Sequence, residues 1–480
     1  MCIRDSTTAT FRNCAFTACN AQNGGAIYVA DSGPIVSFEN CRFQSNHATS
    51  SGGALNLSNT PRDEAHVPVL TNCTFTGNTA DSSGGGIAAG QKCRITGCTF
   101  TQNQAWWGGG GSFGREAVVT DCVFNGNTAQ SGGGVFAEEY SSFNECSFAN
   151  NIADSDGGGI DAKNGVSIEY CTLSSNQAGE DGGAIHADCV SAGKNLFIVG
   201  CAISGNSAGE NGGGIWCDGT EVSQTELIDN TAGRRGGGIY ATYSRVSSCF
   251  LDHNRAGTAG TSSYSEGGGI YLQQTNVSNC QLISNEAVDG NGGGIYAQGS
   301  LSDTAVPPVI SDVYAAFNAA RNGGGMGSDL EVHILSSSFE DNEASYRGGG
   351  IYAERGPLVS LCRIENNSSQ QGGGASLSEG TILASTITRN QATQWAGGLR
   401  LFKSRAEECA VSYNTAATAG GGIWTGIECS ISNCTVTYNT LSDTTSTAGA
   451  GIDCHGATVL TGVTVSGNTP TNCNSDCACP

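Results

Sequence analysis

Six residues share one recurring position in this chain, and their side chains are of kinds that grip or react with a ligand. Asp161, His186, Trp216, Tyr240, Tyr271 and Tyr296 each follow an Ile that closes a Gly-rich run. Flat rings with polar edges suit sugar rings, and also peptides. Ahead of three of these Gly runs stand Asp154, Asp156, Glu180, Asp181 and Glu210. Clustered carboxylates at a turn suit Ca²⁺, which prefers oxygen ligands. Paired carboxylates also suit a glycosidase or a lyase. The plainer readings are an aromatic ladder that stiffens a sheet, and a solvated acidic edge neutralised by Arg234 and Arg235. No catalytic residue is named: His186 is one of 6 histidines and has no evident nucleophile partner. His-Glu-x-x-His pairs and phosphate loops are absent.

A repeat sets these residues at near-equal intervals. Residues 122–137 show it whole: Cys-x-apolar-x-x-Asn-x-Ala, a variable turn, then Gly-Gly-Gly-apolar-aromatic-Ala. The motif Asn recurs from Asn46 to Asn468, and 18 rows result, most spaced 23 to 25 residues apart. Insertions at 61–68, 191–197, 257–266, 301–308 and 441–447 account for the longer spacings. Inside a row, apolar or small residues alternate with polar ones, the period of strands with one buried face. A row of about 24 residues then holds about three short strands and their turns. Rows of this kind stack in parallel, and crossovers between parallel strands are right-handed by default. The expected fold is all-β, a right-handed parallel β-helix (a pectin-lyase-like solenoid) of about 18 rungs.

Each motif residue then has a structural task. The Phe, Leu, Ile or Val two places after Cys fills the interior. Asn tolerates a left-handed turn, and its amide can bond the Asn of the next row. The glycines supply positive φ, close backbone approach, or both. The Cys position also accepts Thr225, Val313, Ser337, Ser385 and Val463, so it asks for a small buried side chain rather than a disulfide. Cys473, Cys477 and Cys479 cluster separately, as a disulfide-rich module or a metal site. Residues 1–6 do not fit the repeat and read as a leader, artefactual or a truncated start. Residues 7–470 read as a single repeat domain, and 471–480 as a Cys-rich tail opening a further module.

A net charge of −22 repels phosphate and argues against nucleic acid. No apolar run is long enough to span a bilayer. Sequons at Asn56, Asn72, Asn276, Asn366, Asn367 and Asn433 matter only in a eukaryotic secretory pathway. An ice-binding Thr-x-Thr array starts at Thr74 and Thr99 but is broken at Val123 and Asn125.

The paired tetrapeptides Phe-x-x-Asn and Gly-Gly-Ala-Ile resemble the signature of the polymorphic outer membrane proteins, which are bacterial autotransporter adhesins. Residues 43–46, 75–78, 100–103, 124–127, 148–151 and 339–342 match the first, and 24–27 and 182–185 match the second. The resemblance covers nearly the whole chain. It implies a passenger-type β-helix at the cell surface or secreted, associated with the outer membrane, with a polysaccharide or a host or cell-surface protein as partner. Two other classes compete: a polysaccharide-degrading lyase or glycoside hydrolase of the same fold, and a purely structural stalk. Such enzymes break the repeat with long loops and clustered Asp, Arg or Lys, whereas here it runs almost undisturbed and Lys and Arg together number 21. The expectation is a binding scaffold without a cofactor, Ca²⁺ apart, that recognises its ligand through the aromatic-acidic strip.

Overall fold

The computed structural model describes residues 2–3, 8–30, 35–58, 67–189, 195–258, 265–298, 306–477 and 479. The chain is all-β, a right-handed parallel β-solenoid of about 17 turns, with no helix among the described residues. It divides into two compact units, Met1–Ala232 and Gly233–Pro480. In a stacked repeat each turn touches only its neighbours, so compact bodies form locally along the chain.

One turn of the first unit comprises Val118–Thr120, Val123–Asn125, Thr128–Ala129 and Val135–Ala137. That is four strands rather than three, the extra one being the two-residue strand after the motif Asn. Each pairs in parallel with its counterpart one turn on: Val118 with Ser142, Val123 with Ser147, Thr128 with Ile152, Val135 with Ile160. Phe43, Phe75, Phe100, Phe124 and Phe148 are fully buried and stack ring on ring, with centroids 4.7 to 4.8 Å apart. That is the spacing of adjacent strands, so the backbone repeat alone sets the rings at stacking distance.

The Asn ladder forms as expected. Asn127 Nδ2 donates to Asn151 Oδ1 at 2.9 Å and to the Phe100 carbonyl at 3.0 Å. The left-handed conformation, however, falls one residue earlier, on Gly126 (φ 63°), Asn150 (φ 55°) and Ser175 (φ 55°). The chain turns before the Asn, which leaves its amide free to point inward and satisfy the corner. Glycine serves both purposes foreseen for it. Gly132 has φ 65°, and a Cβ on Gly133 would lie 2.4 Å from the Gly158 carbonyl of the next turn.

The second unit repeats the plan, for example in Arg405–Glu407, Ala410–Ser412, Thr415–Ala416 and Ile423–Thr425. Its interior is more aliphatic, with Leu251, Leu282, Ile364, Ile387 and Val411 all fully buried. All thirteen motif cysteines are free thiols, buried except for a half-buried Cys14. Burial pushes the thiol of Cys93 up to about 12 and that of Cys362 up to about 11, so both stay protonated.

The tail folds back onto the last turn. Asn468 Nδ2 donates to Asn472 Oδ1 at 3.1 Å, and disulfides join Cys454 to Cys477 and Cys473 to Cys479. In the expected leader, Cys2–Ile3 pair with Tyr28 and Val29, whereas residues 1 and 4–6 lie outside the described residues. The insertions at 61–68, 191–197, 257–266 and 301–308 also lie largely outside them.

Candidate functional site

Two columns of side chains flank the Gly runs, one just before the run and one just after the residue, most often Ile, that follows it. The glycines between them cannot carry side chains, since a Cβ on Gly158 would lie 2.3 Å from the Gly183 carbonyl. The result is a strip of bare backbone between two lines of residues.

In the first unit the column after Ile brings Phe136, Asp161, His186 and Trp216 into register. Asp161 is only 2% exposed. Its Oδ1 accepts from His186 Nδ1 and from Lys163 Nζ, both at 2.9 Å, and Lys163 also reaches Asp188 at 3.7 Å. Burial alone pushes the Asp161 carboxyl up, but the hydrogen bond and charge of His186, with the charge of Lys163, outweigh it. The net position is below the usual carboxylate range. The His186 ring stacks on Trp216, with centroids 4.5 Å apart and planes 24° apart, and Trp216 stays partly exposed. Lys163 escaped the sequence reading, although its place two residues after Asp161 on one strand puts it on the same face.

The five carboxylates expected to cluster fall into three separate lines. Asp156 and Asp181 stand just before the Gly run: Asp181 N donates to Asp156 Oδ1 at 3.2 Å, and Asn211 N and Nδ2 donate to Asp181 Oδ1 at 2.9 Å. Burial raises the Asp181 carboxyl above its ordinary value, against the opposing hydrogen bonds of Asn211. Glu180 and Glu210 are exposed, and their backbones stack on Ser155 and on each other. Asp154 lines a different concavity, of about 610 Å³, with Gln104, Trp106 and Gln130. One residue of offset in a turn changes the face, so closeness in sequence is not convergence. No three His, Cys, Asp or Glu among the described residues are placed to hold a metal ion.

In the second unit Tyr240, Tyr271 and Tyr296 are in register, followed by Gly327. Tyr240 stacks on Tyr271 at 4.7 Å and Tyr271 on Tyr296 at 5.8 Å. The strip expected to be exposed is instead closed over much of its length: Tyr271 is 0% and Tyr296 1% exposed, and only Tyr240 is partly open. Rings repeated at the strand spacing cover one another, and polar neighbours seal the rest. Arg235 lies 5.1 Å from the centre of the Tyr271 ring and donates to Glu266 at 2.8 Å. The Tyr271 hydroxyl donates to Gln298, and that of Tyr296 to Asp329 at 2.5 Å. Burial pushes both phenols well above their ordinary value.

Sequence reasoning also passed over Trp395, which stands just before a Gly run and packs on Trp424 and Arg400 on the other side of it. Its signal was the same fixed offset from the glycines, read on the preceding strand.

A family model described as "right handed beta helix region" matches residues 62–232 and 320–479, more than half of the chain. No curated protein matches in sequence. Among solved structures, the mannuronan C-5 epimerase AlgE6 A-module of Azotobacter vinelandii is similar over 83% of this chain and 91% of its own, at 12% identity and a TM-score of 0.29. The GH136 lacto-N-biosidase of Eubacterium ramulus is similar over 63% of this chain, at 11% identity and a TM-score of 0.28. The chain spans 62% of that enzyme, less than two-thirds of its length. A hyper-glycosylated TibA fragment is similar over 95% of this chain and 100% of its own, at 13% identity and a TM-score of 0.22.

Proposed function

The chain belongs to the right-handed β-helix family, and on that premise we propose that it is a cell-surface or secreted binding scaffold of the adhesin type that recognises glycans. The observation that supports this most is Trp216. It is partly exposed on the outer face, its ring is fixed by His186, and His186 is fixed in turn by the buried Asp161. A flat indole held rigid beside hydrogen-bonding groups can stack on a pyranose at little cost in conformational entropy. Tyr240 offers a second partly exposed ring in the other unit. Tyr271 and Tyr296 are closed off and act as support for it.

The test is a glycan array probed with the wild type and with Trp216→Ala. Binding weakened about tenfold or more, with the melting temperature unchanged, supports the reading. An unaltered array pattern counts against it.

One observation favours a polysaccharide-cleaving enzyme as a second reading. A buried Asp that orients a His, close to a carboxyl raised by burial, is an arrangement suited to proton transfer. New reducing or unsaturated sugar ends from a polysaccharide panel, lost in His186→Ala, would support it. Binding without any cleavage would leave the scaffold.

A further inference from the structure

Later turns of the unit Gly233–Pro480 hold a second group of residues that matches the chemistry of a ligand. Arg400 packs beside a pair of indoles whose ring centres lie 4.4 Å apart, its guanidinium carbon 5.4 Å from the centre of the Trp395 ring and 5.8 Å from that of Trp424. Its Nη1 donates to Ser376 at 3.3 Å, while its Nε is buried and has no partner. Burial and the charge of Arg347 both press the Arg400 guanidinium below its ordinary pKa, as befits a charge lacking a counter-ion. Arg347 lies 4.6 Å from the centre of the Tyr346 ring and donates to the Tyr346 hydroxyl at 3.1 Å. Arg321 lies 5.8 Å from the same ring.

Strand register brings these residues together. Arg347, Gln371 and Trp395 share the column before the Gly run, and Ser376, Arg400 and Trp424 share the column after it. None of Arg321, Arg347 and Arg400 makes an ion pair with a described residue, although the chain has 43 acids to 21 Lys and Arg. Glu354, whose charge Arg400 feels, is held by the Tyr352 hydroxyl at 2.5 Å.

We propose that these turns bind an acidic saccharide, with its carboxylate or sulfate on Arg347 and Arg400 and a sugar face on the Trp395–Trp424 pair. A guanidinium packed against rings presents a planar fork of donors, which suits a bidentate anion. A sugar fits better than a peptide here. The strands of these turns are paired on both sides, so they offer no sheet edge for an extended peptide to join.

Affinity electrophoresis of the full chain tests this, in gels containing polygalacturonate, dextran sulfate, dextran or polyglutamate. A protein of net charge −22 is repelled by polyanions in bulk, so retardation by an acidic polymer reports a local site. Retardation by polygalacturonate assigns the anion as carboxylate, and retardation by dextran sulfate alone assigns it as sulfate. Either should weaken about tenfold or more in Arg400→Gln and in Arg347→Gln, with part of it kept in Arg400→Lys. Arg347 is partly exposed, so its variant decides if Arg400→Gln melts early. No retardation by either acidic polysaccharide overturns the proposal. So does equal retardation by polyglutamate or dextran, or binding indifferent to both Arg variants. Retardation lost in Trp216→Ala but kept in both Arg variants would place the site elsewhere and overturn the assignment, while Trp216→Ala on the glycan array tests the other reading. The two readings therefore fail separately.

Discussion

Asp161 is the residue on which the order of the first unit's outer face depends. It is buried, charged and shared between His186 and Lys163. Asp161→Asn leaves those partners facing an uncharged group and should cost about 3 kcal/mol at neutral pH. Its native pKa lies below the unfolded value of about 3.9. The stabilisation is therefore complete above that value and fades as the pH falls through the depressed native pKa. Melting temperatures of wild type and Asp161→Asn should differ throughout the neutral range and converge only below about pH 4. A gap already closed at pH 6 would contradict the pairing. The identities in this column were legible in the sequence, because each follows an Ile at a fixed offset. Their burial was not. A period of two tells which face a side chain leaves, but not whether the rings above and below then cover it, as they do at Tyr271 and Tyr296.

At the scale of the element, the corners hold the stack together as much as the core does. Asn151 accepts from both the backbone and the side chain of Asn127, and donates to the Phe124 carbonyl at 2.9 Å and to Asn176 Oδ1 at 3.0 Å. Asn151→Leu strands several buried donors and acceptors at about 1–3 kcal/mol each, so a large fall in thermal stability is expected. An unchanged melting curve would remove the ladder from the list of stabilising features. Gly133→Ala should be similarly damaging, because the new methyl would meet the Gly158 carbonyl at 2.4 Å. A melt within a degree of the wild type would show that the turns can separate to accommodate it. The ladder was readable from the spacing of Asn. The left-handed residue before it was not, because that place holds Gly126, Asn150 and Ser175 without a common signature. The acids at 154–181 misled for a related reason. Neighbours in a tight turn point to different faces, and only the register of the next turn shows which of them meet.

At the scale of the whole molecule, the repeat supplies a scaffold and the variation between turns supplies the chemistry. Cysteine divides the same way: thiols at the motif position stay free and buried, while Cys454 and Cys477 close the tail onto the last turn. Cys477→Ser should lower the stability of that closure by about 3 kcal/mol, read as faster amide exchange at residues 452–454. Unchanged exchange there would mean that Asn472 alone closes the ladder. Whether ligand recognition resides in the varying columns is tested most directly by the glycan array with wild type and Trp216→Ala side by side. The expected result is a defined set of bound glycans that is lost or weakened about tenfold or more in the variant while its melting temperature holds. An identical pattern from both proteins would contradict it.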